Sequence, residues 1–236
     1  MHYQKTLKFI VLAIFTCLAM NVNSQTHKIG VLAGGSMTNV CHSSAFFDKT
    51  GYNPGFHGGI HYHLKFENKM TLMVDLLYVQ KGFAYDFEYQ AYNDDLELYD
   101  GTSEYNFAYD YISLPVSIGY AIGDKFSVTP YLGIAASRLV QAKHKYTLHD
   151  DNDNLMDEGE ENKYTVLPRY DWPVHAGLYL EYTIGKNLTV FSKFHADYSL
   201  NAISGKQYFS ESELTHYGYA LSFGLLFSIN SNENEN

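Results

Sequence analysis

The chain has 236 residues, a formal net charge of −10 and 16 % aromatic residues, including 22 tyrosines. An acidic balance of this size does not hold nucleic acid or anionic phosphate surfaces by bulk charge, so nucleic acid is excluded as a partner. There is a single long apolar run, which excludes a bundle of membrane helices, while the aromatic content suits interfacial girdles on a barrel.

At the N-terminus Lys5 and Lys8 precede an apolar run over 9–20, followed by Asn21, Val22, Asn23 and Ser24. Residues 1–24 are expected to be a cleaved signal peptide, with Val22 and Ser24 at the small-residue positions before a cut at Gln25. The run is too short for a membrane anchor, which needs about 20 residues. Cleavage removes two lysines and no acid, so the net charge moves from −10 to −12, and Cys41 is left as the sole cysteine with no internal disulfide possible.

The remainder divides into a barrel domain over 25–230 and a polar tail over 231–236. The first strand, 28–40, is weakened by Gly30, Gly34 and Gly35. The second, 56–66, alternates Phe56, Ile60, Tyr62, Leu64 and Phe66 with His57, Gly59, His61, His63 and Lys65, which turns the imidazoles away from the apolar face. A tight turn at 67–69 leads into 70–83, where Met70, Leu72, Val74, Leu76 and Tyr78 continue that face and Asp75 points the other way. The tyrosine-rich, acidic stretch 84–104 is expected to be a loop whose flanks extend the hairpin. Over 111–122 the parity separation is cleanest: Ile112, Leu114, Val116, Ile118, Tyr120 and Ile122 oppose Ser113, Ser117 and Gly119. Pro115 is the awkward member, and it predicts a bulge or a missing ladder bond.

After a turn at 123–125 comes the strand 126–140, with Phe126, Val128, Leu132 and Ile134 outward, and then a long polar segment over 141–167. The strands 169–184, 188–200 and 215–229 follow, separated by a turn at 185–187 and a loop over 204–213. The eight strands are thus joined by links that alternate long and short. That asymmetry, with apolar residues at every second position, predicts an all-β, eight-stranded antiparallel up-and-down transmembrane β-barrel in a Gram-negative outer membrane. Both termini and the short turns are expected in the periplasm. The two longest outer segments carry 14 of the 26 acids.

An eight-stranded barrel is narrow enough to be filled by side chains, so the inward set is expected to be a structural polar network. Three-residue turns pair Phe66 with Met70 and Ile184 with Leu188. Counting from those pairs sets His61 opposite Asp75, His175 opposite Asp197, Gly177 opposite His195 and Glu181 diagonal to Lys193, with His63 beside them. A functional alternative is a hydrolytic site from His195, Asp197 and Ser199 or Ser222. Another is a metal held across strands by His57, His61, His63, His175 and His195, although only His61 and His63 show a close spacing. In the outer segment Asp150, Asn152, Asn154, Glu158 and Glu161 fall at positions 1, 3, 5, 9 and 12 of a calcium-loop pattern, with Leu155 where the turn requires glycine. Beyond a divalent cation at these loops no cofactor is expected. The partners expected are outer-membrane lipid, lipopolysaccharide phosphates bridged by such cations, and an envelope protein complex.

The stretch YISLPVSIGY and the strand TPYLGIAASRLV that follows the turn resemble the PorT-like outer-membrane β-barrel family of Bacteroidetes. Both have an apolar strand with a central proline and then a proline-tyrosine-leucine-glycine strand start. The resemblance implies an eight-stranded outer-membrane barrel and carries over no catalytic residue. The function expected is a non-enzymatic barrel whose acidic extracellular loops bind a ligand or dock onto an envelope complex; an outer-membrane enzyme with a lumenal or rim site and a small-solute channel are the alternatives.

Overall fold

The computed structural model describes residues 25–42, 50–92, 98–150, 152, 154–162, 167–185, 187–203 and 214–229. The segment 1–24 expected to be a signal peptide, the tail 231–236, the loop 204–213 and the acids Asp94, Asp95, Glu97, Asp151 and Asp153 lie outside the described residues.

Ten strands follow one another: β1 Thr26–His42, β2 Thr50–Lys65, β3 Met70–Tyr92, β4 Leu98–Tyr120, β5 Phe126–Asp150, β6 Leu155–Asn162, β7 Tyr170–Asp171, β8 Pro173–Ile184, β9 Leu188–Ser199 and β10 Leu214–Ser228. The pairings run β4-β3-β2-β1-β10-β9-β8-β5, and β4 also pairs with β5, so eight staves close into a ring. Every pairing is antiparallel, which is why hairpin turns can join neighbours. Closure removes the unpaired edge that hydrocarbon would not tolerate. The short β6 and β7 lie along the same edge of β5 as β8, at successively different heights.

The outward parity is apolar all round. Val31, Ile60, Leu76, Ile118, Leu132, Leu178, Phe194 and Phe223 are exposed on the wall, Leu132 by 62 %. Leu64 departs from that pattern, being 1 % exposed at an outward position. Rings cluster at both ends of the belt, with Tyr120, Phe126, Tyr182 and Phe227 at the end of the short turns and Tyr52, Tyr170, Trp172, Tyr198 and Tyr219 at the other. Such girdles mark the two bilayer interfaces of an outer-membrane barrel.

Among the described residues each short turn contains one with positive φ, Lys69 at 65°, Gly123 at 100° and Gly185 at 67°. Glycine reaches this region freely; Lys69 is held there by a turn in which Phe66 N–H donates to Met70 O at 2.9 Å and Asn68 Oδ1 accepts from Met70 N–H at 3.1 Å.

Three irregularities shape the wall. The β2 strand begins at Thr50, earlier than the alternation at 56–66 suggests, because its register with β3 shifts between Tyr52 and His57 and absorbs one extra residue around Pro54. Opposite Pro115 the β3–β4 ladder is interrupted between the pairs Val74–Val116 and Leu77–Ser113, as expected of a residue with no N–H, while on its other side Pro115 pairs with Ala135. Between Leu139 and Gln141 the β4–β5 register slips at Val140, and the inward set of β5 changes from odd to even numbers.

The acidic stretches are strand rather than loop over most of their length. β3 and β4 stay paired as far as Tyr92 and Leu98, and β5 and β6 pair from Lys143 to His149. Aromatic residues at every second position, as in Tyr85, Phe87 and Tyr89, make a strand out of a sequence whose acids alone suggest a solvated loop.

Candidate functional site

Inside the ring the inward side chains form layers. At the end of the short turns Lys28 Nζ donates to Glu181 Oε2 at 3.2 Å and Ser127 Oγ donates to Glu181 Oε1 at 3.1 Å, with His63 Nδ1 3.5 Å from the same carboxylate. Above these lies an apolar layer of Met73, Tyr131, Tyr179, Phe191 and Leu226. In the middle Asp75 pairs with His61 through one oxygen and accepts from Lys193 Nζ at 2.6 Å through the other. Higher still Lys81 Nζ donates to Asp171 and Asp197, each at 3.1 Å. A second apolar layer of Val40, Phe83, Phe107, Tyr109, Leu139 and Leu214 closes the opposite end, beneath the long hairpins. Between the layers lies a cavity of about 60 Å³ bordered by His57, Asp75, Lys81, His175, Lys193 and Asp197. It has room for a few water molecules.

Register places His61 opposite Asp75, His175 opposite Asp197 and Gly177 opposite His195. The ionic partners differ from those expected by diagonal counting. Glu181 takes Lys28 rather than Lys193, Lys193 reaches across the lumen to Asp75, and His175 Nε2 meets Ser117 Oγ at 2.7 Å. Lys28, Lys81 and Asp171 join this network beyond the residues picked out by the sequence, as does Ser117 from the small inward set of 111–122; all four sit at inward parity in a strand where a charged or small polar residue marks the lumen.

The hydrolytic set is not assembled. Ser199 Oγ donates to Asp171 at 3.0 Å, Ser222 Oγ pairs with His57 Nε2 at 2.7 Å and Asp197 is held by Lys81, so neither serine is bonded to His195. Among the described residues no three His, Cys, Asp or Glu side chains converge as a metal-binding group. The calcium pattern is likewise spread out. Asp150 ends β5 and accepts from Asn152 N–H at 2.9 Å and from Asn154 N–H at 2.8 Å, whereas Glu158 and Glu161 lie down β6 opposite Thr147 and His144. An odd and an even position on one strand point to opposite faces.

Outside the belt, β3, β4, β5 and β6 continue as a four-stranded sheet. On the face that extends the lumen the rings form a row: Phe83 stacks on Phe107 at 4.3 Å, Phe87 on Tyr105 at 5.9 Å, and Tyr105 lies 6.1 Å from Tyr146. The other face is polar and acidic, with Asp86, Glu88, Thr102, Glu104 and Glu158 exposed. There Lys143 and Lys145 reach Glu160 at 2.8 and 3.6 Å. The hydrogen bond from Lys143 holds the Glu160 carboxyl below its usual pKa, the donors from Asn154 do the same for Asp150, and the Asp157 charge raises the Tyr146 hydroxyl.

A closed ring of eight staves with an apolar aromatic-girdled belt and a filled lumen defines a small outer-membrane β-barrel of the Gram-negative type. The chain belongs to the outer membrane protein beta-barrel domain family, whose model matches residues 23–205. Among solved structures it is similar to the attachment invasion locus protein Ail of Yersinia pestis, at 14 % identity over 84 % of this chain and 98 % of that one with a TM-score of 0.33. Neisserial surface protein A gives 14 % identity, 84 % and 96 % coverage and a TM-score of 0.41. The outer membrane protease OmpT of Escherichia coli gives 8 % identity, 87 % and 97 % coverage and a TM-score of 0.32. No curated protein sequence matches the chain.

Proposed function

We propose that this is a non-enzymatic barrel of the PorT-like branch whose binding surface is the extracellular sheet, with the termini and short turns in the periplasm. The observation that carries the reading is the continuation of β3, β4 and β5 past the apolar belt. On β4 the outward residues Ile112 to Tyr120 are apolar, whereas Thr102, Glu104 and Asn106 above them are polar. The run from Leu98 to Asp110 is β-strand with no bilayer to span. At roughly 3.3 Å per residue such a run measures about 40 Å along the strand, far more than is needed to link two staves. The branch rests on YISLPVSIGY and TPYLGIAASRLV.

The partner fits an envelope or extracellular protein better than a solute, because the lumen beneath is packed in layers. Outer-membrane lipid surrounds the belt, and divalent cations bridging the acidic face to lipopolysaccharide phosphates are a secondary role for the same surface. The test compares the full chain with a variant in which the β3–β4 and β5–β6 extensions are replaced by short turns. Crosslinking in native outer membranes is expected to give adducts to the full chain that the trimmed barrel lacks, while both retain heat-modifiable gel migration. Identical adducts from the two would overturn the reading.

A further inference from the structure

The eight staves below are closed, but the sheet above them is not. Among the described residues β6 pairs with β5 alone and ends the strand order. Over 155–160, among the described residues, half of its backbone N–H and C=O groups therefore face outward along an open edge, outside the belt where the closed ring protects them. Such an edge takes an added strand through main-chain hydrogen bonds, and its side chains decide which strand.

Leu155–Asn162 reads LMDEGEEN, with four carboxylates in eight residues. A second copy of β6 would oppose like charges, so the edge disfavours self-pairing and favours a basic segment. Lys143 and Lys145 answer Glu160 on the polar face. On the aromatic face Asp157 and Glu161 flank Gly159, at the odd positions of the strand. A Cβ on Gly159 would stand 2.6 Å from the Tyr146 ring, so the absence of a side chain lets that ring lie across β6 toward its open edge. The Tyr146 hydroxyl donates to Asp157 at 3.4 Å, which fixes the ring beside the carboxylate. A π face beside a carboxylate is a receptor for an ammonium or guanidinium group.

We propose that β6 captures an extended lysine- or arginine-rich protein segment by strand addition, seating one basic side chain over Tyr146 at Gly159 beside Asp157. This rests on the outer sheet being the binding surface and names its partner class.

The test uses the full chain in detergent micelles and a synthetic peptide of alternating lysine and threonine, followed by fluorescence anisotropy. Three further peptides are the glutamate-for-lysine analogue, the basic peptide N-methylated at alternate amides in one register, and the same with the other register methylated. Asp157→Asn and, separately, Tyr146→Leu are prepared with intact heat-modifiable migration. The basic peptide is expected to bind saturably, the acidic one not at all. One of the methylated peptides and both variants should weaken binding by about tenfold or more. Equal binding by both methylated peptides would overturn strand addition, and unchanged binding by the carboxamide variant would remove β6 as the site; either leaves the outer sheet as a binding surface. No binding of the basic peptide would sink the proposal, and the crosslinking comparison with the trimmed barrel then judges the broader reading separately.

Discussion

Asp75 is the residue on which the middle layer of the lumen turns. It is 1 % exposed and serves two partners, His61 from the neighbouring strand and Lys193 from the far wall. Burying such a pair contributes little beyond what apolar residues of the same volume would, but removing one member strands the other charge. Asp75→Leu is therefore expected to destabilise the barrel by about 3–5 kcal/mol, and adding Lys193→Met should recover most of that loss. The temperature at which the folded band converts to the unfolded one on a gel reads both, and a single variant as heat-resistant as the parent would show that the pair carries no weight. The register of His61 with Asp75 is legible in the sequence because a strand repeats every two residues and a three-residue turn at 67–69 fixes where counting starts. The Lys193–Asp75 bond joins residues 118 apart on strands that are not neighbours. Its height depends on the stagger of the closed ring, which no local pattern contains. The same holds for Lys28 with Glu181: inward parity marks both residues as lumenal, but only the stagger says that they meet.

Among the elements, β5 departs furthest from its sequence pattern. Continuing the odd-inward alternation past Leu139 would send Gln141 and Lys143 into the lumen. The slip at Val140 instead turns Ala142 and His144 inward, where His144 lies against the Phe107 ring at 4.5 Å, and frees Lys143 for Glu160. A bulge that inserts one residue has this effect, since one step along a strand reverses the faces. Single cysteines placed in a Cys41→Ser background report it directly. A membrane-impermeant maleimide is expected to label Lys143→Cys rapidly and to leave His144→Cys and Leu139→Cys largely unlabelled in the folded barrel. The opposite labelling at 143 and 144 would mean that the strand runs without the bulge. The extent of β3 and β4 was likewise partly written in the sequence: the alternating tyrosines were visible in composition, but the acids among them carried the weight of a loop. Of these acids, Asp86, Glu88, Asp100 and Glu104 fall on the polar face and stay within the paired ladder.

At the scale of the whole molecule the wall and the lumen follow from one alternation, and the consequence for transport is a matter of what fills the middle. Two apolar layers, one built on Tyr179 and Phe191 and one on Phe83 and Phe107, stand on either side of a cavity of about 60 Å³. Charges inside are matched lysine to carboxylate, so an ion entering would have to part both a ring layer and a buried pair, each held by packing or by charge. The full chain is expected to give no resolved steps above background in planar bilayers. Opening one layer should not change this, because the other still closes the bore. Tyr179→Ala with Phe191→Ala leaves the upper layer, and Phe83→Ala with Phe107→Ala leaves the lower. Only the fourfold variant is expected to conduct. Each truncation costs about 3–5 kcal/mol of packing, so gel migration has to show that the ring survives before currents are compared. Steady conductance in the parent would mean that the layers separate in the bilayer, and a small-solute channel would then replace the plugged barrel as the account of this fold.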